Sequence, residues 1–438
     1  MKKAISILLV LSLFLGIFTA FGVQSFAAVT EIKYGGLSYS INTKTKTATV
    51  TGLDYDHKKT SYAIPTGVPV KGAKYTVNAI GKEAFRVWDV KKVTIPKTVT
   101  SIAYAGLGGY NLSSINIPSS VKSISAGAFN GAENLKSIQV EKGSKYFSAA
   151  GGVLYNKAKT RLCACPASLK TTKLTVPGTV KVIDAYAFIR NQNIKSIKIP
   201  ASVTAIGGCA FIYSNIRIAN ILAKAKTIPQ NAFKGSMVTN VFLSNYLTTI
   251  CNNAFYDCYN LKNIRIPKNV TTIGAYAFEF SGLNTITFAK GSKFSKVGRL
   301  AFGYKYDYDW ENDIEGYMPI EGFRANYFSS DAARVYKTLE VLRKGCGSAK
   351  AISYNVAKSN VIKNCAITVK PTTYTGKVAN PVVTIKSGTY TLIRNVDFTV
   401  SCKNVKVGKA VVTIKGIGDF TGATARTFTI YPRGTVLK

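Results

Sequence analysis

The chain has 438 residues, enough for two or three domains. It carries 58 Lys and Arg against 20 Asp and Glu, a formal charge of +38, which draws a protein towards polyanions such as acidic glycans and anionic wall polymers. A single histidine, His57, excludes a histidine-rich metal site and leaves Ser-His-Asp or Cys-His catalysis dependent on one loop residue between Asp56 and Lys58.

Residues 1–27 read as a secretory signal peptide. Lys2 and Lys3 give a basic start, Ile5 to Phe21 is an apolar run, and Ser25-Phe26-Ala27 offers small residues at −3 and −1. No later segment reaches membrane-spanning length. The mature protein is therefore expected to be secreted and extracellular, with the cell wall as one place of retention. Tyr431 to Lys438 shows no apolar tail and no Leu-Pro-x-Thr-Gly signal, so covalent wall anchoring through it is not expected.

Residues 28–78 form an N-terminal capping region, with Ile64-Pro65 as an early strand end. Residues 79–304 are a repeat array. Ala-Phe recurs with phenylalanines at 85, 129, 188, 211, 233, 255, 278 and 302, and Leu107 fills the slot in a degenerate copy. Successive gaps are 22, 22, 59, 23, 22, 22, 23 and 24 residues. A period of this size means a solenoid whose units must stack to bury their apolar sides. In the copy Leu261 to Phe278, the alternation Ile264-x-Ile266 is a short strand and Pro267 ends it by removing a ladder donor. Val270 and Ile273 give a second apolar edge, Gly274 a tight corner, and Ala277-Phe278 a small-large buried pair. The long interval between Phe129 and Phe188 reads as one enlarged coil with an inserted hairpin rather than a break between domains.

The pattern L-x-x-I-x-I-P-x-x-V-x-x-I-G-x-x-A-F, nearly intact at Leu261–Phe278 and Ile194–Phe211, resembles the BspA-like leucine-rich repeat surface proteins. The resemblance covers about residues 30–345. It implies a mainly β fold of short parallel strands, a non-enzymatic role, and adhesion to extracellular proteins or glycans. Departures are Leu107 for Phe, Ala103 for Gly, and the missing Pro after Ile221 and Leu243.

Residues 305–360 read as an acidic loop and helical cap. Asp307, Asp309, Glu311 and Asp313 alternate as candidate oxygen ligands for Ca²⁺, but Asn312 and Met318 break the EF-hand pattern. A solvated acidic loop, or a partner for the basic coils, is the favoured reading of them. Ser330 to Lys344 has helical spacing, Ser329 or Ser330 as N-cap, and Gly345 as its stop. Residues 361–438, with 12 basic and 2 acidic residues, hold short strands at Ile367–Val369, Val382–Ile385, Phe398–Val400, Val411–Ile414 and Phe428–Ile430. They predict a small β-sandwich and resemble a bacterial immunoglobulin-like module, which implies a spacer or contact domain.

The eight cysteines show no paired C-x-x-C and read mostly as small core residues, Cys258 above all. No phosphate-cradling motif occurs, and no cofactor, catalytic group or specific nucleic-acid recognition is expected. The functional surface is expected on the outward strand face. One column runs Thr94, Asn116, Gln139, Thr175, Lys198, Asn220, Phe242, Arg265, Thr287; its neighbour includes Ser196, Ile218, Asn240, Asn263 and Thr285. Lys198, Ile218, Asn220, Asn240, Phe242, Asn263 and Arg265 form the candidate ligand surface. Ile218 and Phe242 are apolar where a solvated sheet wants polar groups, although a one-residue slip would turn Phe242 inward. A structural wall or matrix component held by charge, and an accessory binding region of a larger secreted enzyme, are the other readings.

Overall fold

The computed structural model describes residues 30–54, 59–283, 285–289, 292, 294–302, 304–309, 314–319, 323–327, 352–356, 361–388, 390–392, 394, 398–404, 406–417 and 420–435. The signal peptide, His57, the helix expected over 330–344 and Cys346 lie outside the described residues. The chain divides into two compact units, Met1–Lys157 and Ala158–Lys438.

The first unit opens with an antiparallel meander, Thr30–Tyr34, Leu37–Asn42 and Thr47–Leu53, whose last strand turns parallel to Ala73–Ile80. Coil stacking begins at Ser61–Ala63, which pairs parallel with Lys92–Thr94; Ile64 N–H donates to the Thr94 carbonyl. Ser114–Ile117 and Ser137–Val140 pair in the same sense. The inserted hairpin is present as Phe147–Ala150 against Val153–Asn156. The boundary between the units falls directly after it. Its strands pair antiparallel, where the coils on either side stack parallel.

In the second unit the coil repeats closely. Lys173–Thr175, Ser196–Ile199, Ile218–Ile221 and Asn240–Leu243 form one parallel sheet, and Thr227–Ile228, Thr249–Ile250, Thr272–Ile273 and Lys296–Val297 another. Leu261, Ile264, Ile266, Val270, Ile273, Ala277 and Phe278 are all buried, as the alternation requires. On the Ala-Phe side each phenylalanine N–H donates to the alanine carbonyl of the next coil: Phe188 to Ala210, Phe211 to Ala232, Phe233 to Ala254, Phe255 to Ala277 and Phe278 to Ala301, at 2.7–2.8 Å. The rings of Phe188, Phe211, Phe233, Phe255, Phe278 and Phe302 make one stacked column with centroids 4.8–5.5 Å apart.

The corner is not made where the sequence placed it. The left-handed residue of each coil lies two before the phenylalanine slot: Gly127, with φ of 73°, in one coil, and Glu83, Ala105, Tyr186, Cys209, Asn231, Asn253, Tyr276 and Leu300, with φ of 50–60°, in the others. Such backbone costs about 1–2 kcal/mol per non-glycine residue. Inter-coil bonds such as Tyr186 N–H to Gly208 O and Asn253 N–H to Ala275 O over-determine it. Gly274 serves close approach instead: a Cβ there would stand 2.4 Å from the Asn252 nitrogen of the preceding coil.

Beyond Phe302 the sheet does not stop. Phe323–Tyr327 pairs parallel with Thr285–Phe288, and Ile352–Val356 pairs parallel with Phe323–Tyr327. Two further strands thus join the strand face from the segment expected to hold a loop and helical cap. Residues 361–435 form a three-stranded sheet, Ala366–Val369, Val383–Ser387 and Tyr390–Thr391, and a four-stranded one, Thr372–Thr373, Ala423–Tyr431, Gly408–Gly416 and Phe398–Cys402. Ile385 from the first and Phe398 and Ile414 from the second share one buried cluster.

Candidate binding surface

Strand pleating decides which side chains of the solenoid can touch a partner. Ser196 opposes Ile218 and Lys198 opposes Asn220; in the next coil Ile218 opposes Asn240 and Asn220 opposes Phe242. Ile197, Ala219 and Val241 alternate with them and are buried. The slip that would have turned Phe242 inward does not occur: Phe242 is 52% exposed and Ile218 42%. In this register Phe242 is the diagonal neighbour of Ile218, about 7–8 Å away between backbones, within reach for long side chains.

Asn263 and Arg265 belong to a separate ladder, opposing Thr285 and Thr287. They occupy equivalent places in the next coil, but no strand ladder joins Asn240–Leu243 to Asn263–Ile266. Asn263 is exposed and Arg265 half-buried. Thr287, placed in the outward column, is buried where the added strand Phe323–Tyr327 pairs beside it through Asn326.

Two further residues extend the apolar patch. Leu222 and Tyr246 are 43% and 54% exposed, just past the ends of the same two strands. Leu222 stands where other coils have the strand-ending proline, so its absence after Ile221 was the readable signal. Lys224 and Tyr246 are equivalent residues of adjacent coils, and the Lys224 ammonium lies 5.7 Å from the Tyr246 ring centroid, a cation–π contact. Lys195, Lys198, Arg217 and Lys226 supply further positive charge. Among the described residues, the carboxylate ion pairs seen are Lys33–Asp54, Arg86–Glu83, Lys97–Glu141 and Arg161–Asp184, none of which neutralises this group.

No group of three metal-ligating side chains occurs among the described residues. Asp307 and Asp309 lie on the strand Tyr304–Asp309, which pairs antiparallel with Ile314–Pro319 instead of forming an open loop. Glu311 and Asp313 fall outside the described residues. Burial pushes the Cys165 and Cys258 thiols up, Cys258 to about 12, away from nucleophilic character. No disulfide forms among the described cysteines. No described helix is long and apolar enough to cross a membrane.

Residues 73–153 and 181–308 match the family described as BspA type leucine-rich repeat region, in six copies. Over those two stretches the chain is similar to BspA-type leucine-rich repeats. Among solved structures it is similar to a leucine-rich cell surface protein from Faecalibacterium prausnitzii A2-165, at 20% identity over 59% of this chain and 94% of that one, TM-score 0.43. It is also similar to the pneumococcal vaccine antigen PcpA, at 16% identity over 75% and 99%, TM-score 0.43. A leucine-rich repeat protein from Eubacterium ventriosum matches at 24% identity over 58% and 96%, TM-score 0.33. No curated protein matches the chain.

Proposed function

We propose that this chain is a secreted, non-catalytic, adhesin-like protein that binds an extracellular protein through its solenoid strand face. The observation that carries this reading is the cluster Ile218, Leu222, Phe242 and Tyr246. It places four large apolar side chains in water on, or just past the ends of, two adjacent strands whose neighbours are polar or cationic. Exposed aromatic anchors inside a polar rim are the usual centre of a protein contact. The repeat backbone holds them on a rigid sheet, so little ordering cost opposes binding. The positive charge adds long-range attraction and retention on anionic wall polymers. Residues 361–435, in this reading, form an immunoglobulin-like spacer.

The test is an array of extracellular-matrix proteins and glycans probed at low and high salt. A specific protein ligand is expected to survive high salt in part, because desolvated anchors are not screened. Replacing both Phe242 and Ile218 by Ala is expected to cost more than about 1 kcal/mol of its binding free energy, with the circular dichroism unchanged. Capture that disappears entirely at high salt and ignores the double substitution would instead support a wall or matrix component held by charge alone, the reading that +38 by itself favours.

A further inference from the structure

The cations of the strand face have no acidic partner in their own coils. Residues 158–302 carry 19 basic and 3 acidic residues. The three are Asp184, Asp257 and Glu279, each within four positions of a phenylalanine slot and none on a strand of the face. Each already has a cation of its own: Arg161 at 3.2 Å from Asp184, Lys234 near Asp257 and Arg299 near Glu279. Lys198, Arg217 and Lys224 are exposed around Ile218, Leu222, Phe242 and Tyr246, with no carboxylate paired to them among the described residues.

The complementary chemistry occurs in this chain immediately after the last coil. Residues 304–321 hold six acidic residues, Asp307, Asp309, Glu311, Asp313, Glu315 and Glu321, against one basic residue, Lys305. Tyr304, Tyr306, Tyr308, Trp310 and Tyr317 are interleaved with them. The backbone there is an antiparallel hairpin, Tyr304–Asp309 against Ile314–Pro319. Negative charge and large aromatic groups thus come together, which is what a basic patch with apolar anchors selects. The chain's own hairpin does not cover that patch: Phe242 and Tyr246 remain 52% and 54% exposed with it present. Phe323–Tyr327, directly after the hairpin, pairs beside Thr285–Phe288, two coils past Asn240–Leu243. The hairpin is therefore rooted at the end of the face.

From this complementarity we propose that the patch of one copy receives the acidic, aromatic hairpin Tyr304–Pro319 of a second copy. The proposal rests on the strand-face reading above and names a partner for that site, this same chain. The contact is heterologous, because patch and hairpin are different surfaces. Each added copy leaves one of each open, so assemblies grow head to tail. Two chains of this net charge repel at long range, but screening confines that repulsion to about 8 Å at physiological ionic strength. At contact the hairpin meets only the local charge of the patch.

The test is sedimentation velocity of the full secreted chain at about 0.15 M salt. Concentrations from about 1 to about 200 µM cover the affinities of a small, transient contact. A mass that rises with concentration is expected. Two variants separate the halves of the contact. Ile218→Ala with Phe242→Ala removes the anchors and keeps the hairpin. Asp307→Asn, Asp309→Asn, Glu311→Gln and Asp313→Asn together keep the patch and remove hairpin charge. Each variant alone should self-associate about tenfold more weakly or less well still, the loss of one good anchor or more, with circular dichroism unchanged. Mixed, the two should form a 1:1 complex and nothing larger, because only one intact patch and one intact hairpin remain to meet. A parent that stays monomeric over the whole range overturns the proposal. If that parent still captures a matrix protein through Phe242, the strand-face reading stands without it; if it does not, both fall. Self-association that persists in either variant, or variants that do not pair when mixed, also overturn the proposal.

Discussion

Replacing Phe233 by Ala tests the stacked column directly. Phe233 is fully buried, with Phe211 at 4.8 Å on one side and Phe255 at 5.3 Å on the other, nearly parallel to both. Removing a buried phenylalanine to alanine costs about 3–5 kcal/mol through lost transfer energy and the cavity left. Of that, two ring contacts at about 0.5–1.5 kcal/mol each account for about 1–3 kcal/mol. Phe233→Leu keeps most of the apolar volume and removes only the rings, so it is expected to cost about 1–3 kcal/mol. Stability in a solenoid is a sum of nearest-neighbour terms, so the loss should be local. Amide hydrogen exchange is the suitable assay. The Phe211, Phe233 and Phe255 N–H groups, which donate to the next coil at 2.7–2.8 Å, should exchange about 10²–10³-fold faster in Phe233→Ala, at a factor of ten per 1.4 kcal/mol. Amides of 361–435 should not change. A change below tenfold at these three groups, or one spread evenly over the unit, would refute the column as a source of stability.

Two further outcomes are expected. The Glu141 carboxylate accepts from Ser119 N–H at 2.8 Å and Ser119 Oγ at 2.9 Å, and lies 3.2 Å from Lys97 Nζ. The Ser119 backbone bond first, then its hydroxyl and Lys97, lower its pKa from 4.5 to about 2. Its folded value lies below its unfolded one, so the stabilisation is present above pH 4.5 and is lost as pH falls towards 2. An NMR titration should find that low midpoint and see it rise in Ser119→Ala; an ordinary midpoint would remove this link between coils. Cys165 and Cys258, both buried with raised thiol pKa, should resist iodoacetamide at pH 8 in the native protein and react once it is unfolded. Modification of native Cys258 as fast as half-exposed Cys163, read by peptide mass, would contradict its burial.

The strand face was legible because its signal has period two and its copies keep register. Ile264-x-Ile266-Pro267 reads as a strand wherever it recurs, and the pairings Lys198–Asn220–Phe242 follow from aligned copies alone. The corners were not legible. Glycine marks a left-handed residue in a sequence, yet these corners use Glu83, Ala105, Tyr186, Cys209, Asn231 and Leu300. Their conformation is imposed by bonds to the neighbouring coil, and no single repeat contains that information. The added strands Phe323–Tyr327 and Ile352–Val356 were missed for a related reason. They carry no Ile-x-Ile-Pro pattern, and their partners lie 39 and 29 positions away in register, Thr285 opposite Arg324 and Phe323 opposite Ile352.

The charge of the strand face follows from where the repeat tolerates variation. Inward positions are fixed by packing, so Leu, Ile, Val and Phe recur there with little freedom. Outward strand positions touch only water and the adjacent coil. A cation at Lys198 or Lys224 costs the fold nothing. On the strand face basic residues surround Ile218 and Phe242, so a partner there must bring negative charge along with apolar surface to gain from both. Binding at Phe242 is therefore expected to weaken as salt rises without vanishing, because its apolar anchors are not screened.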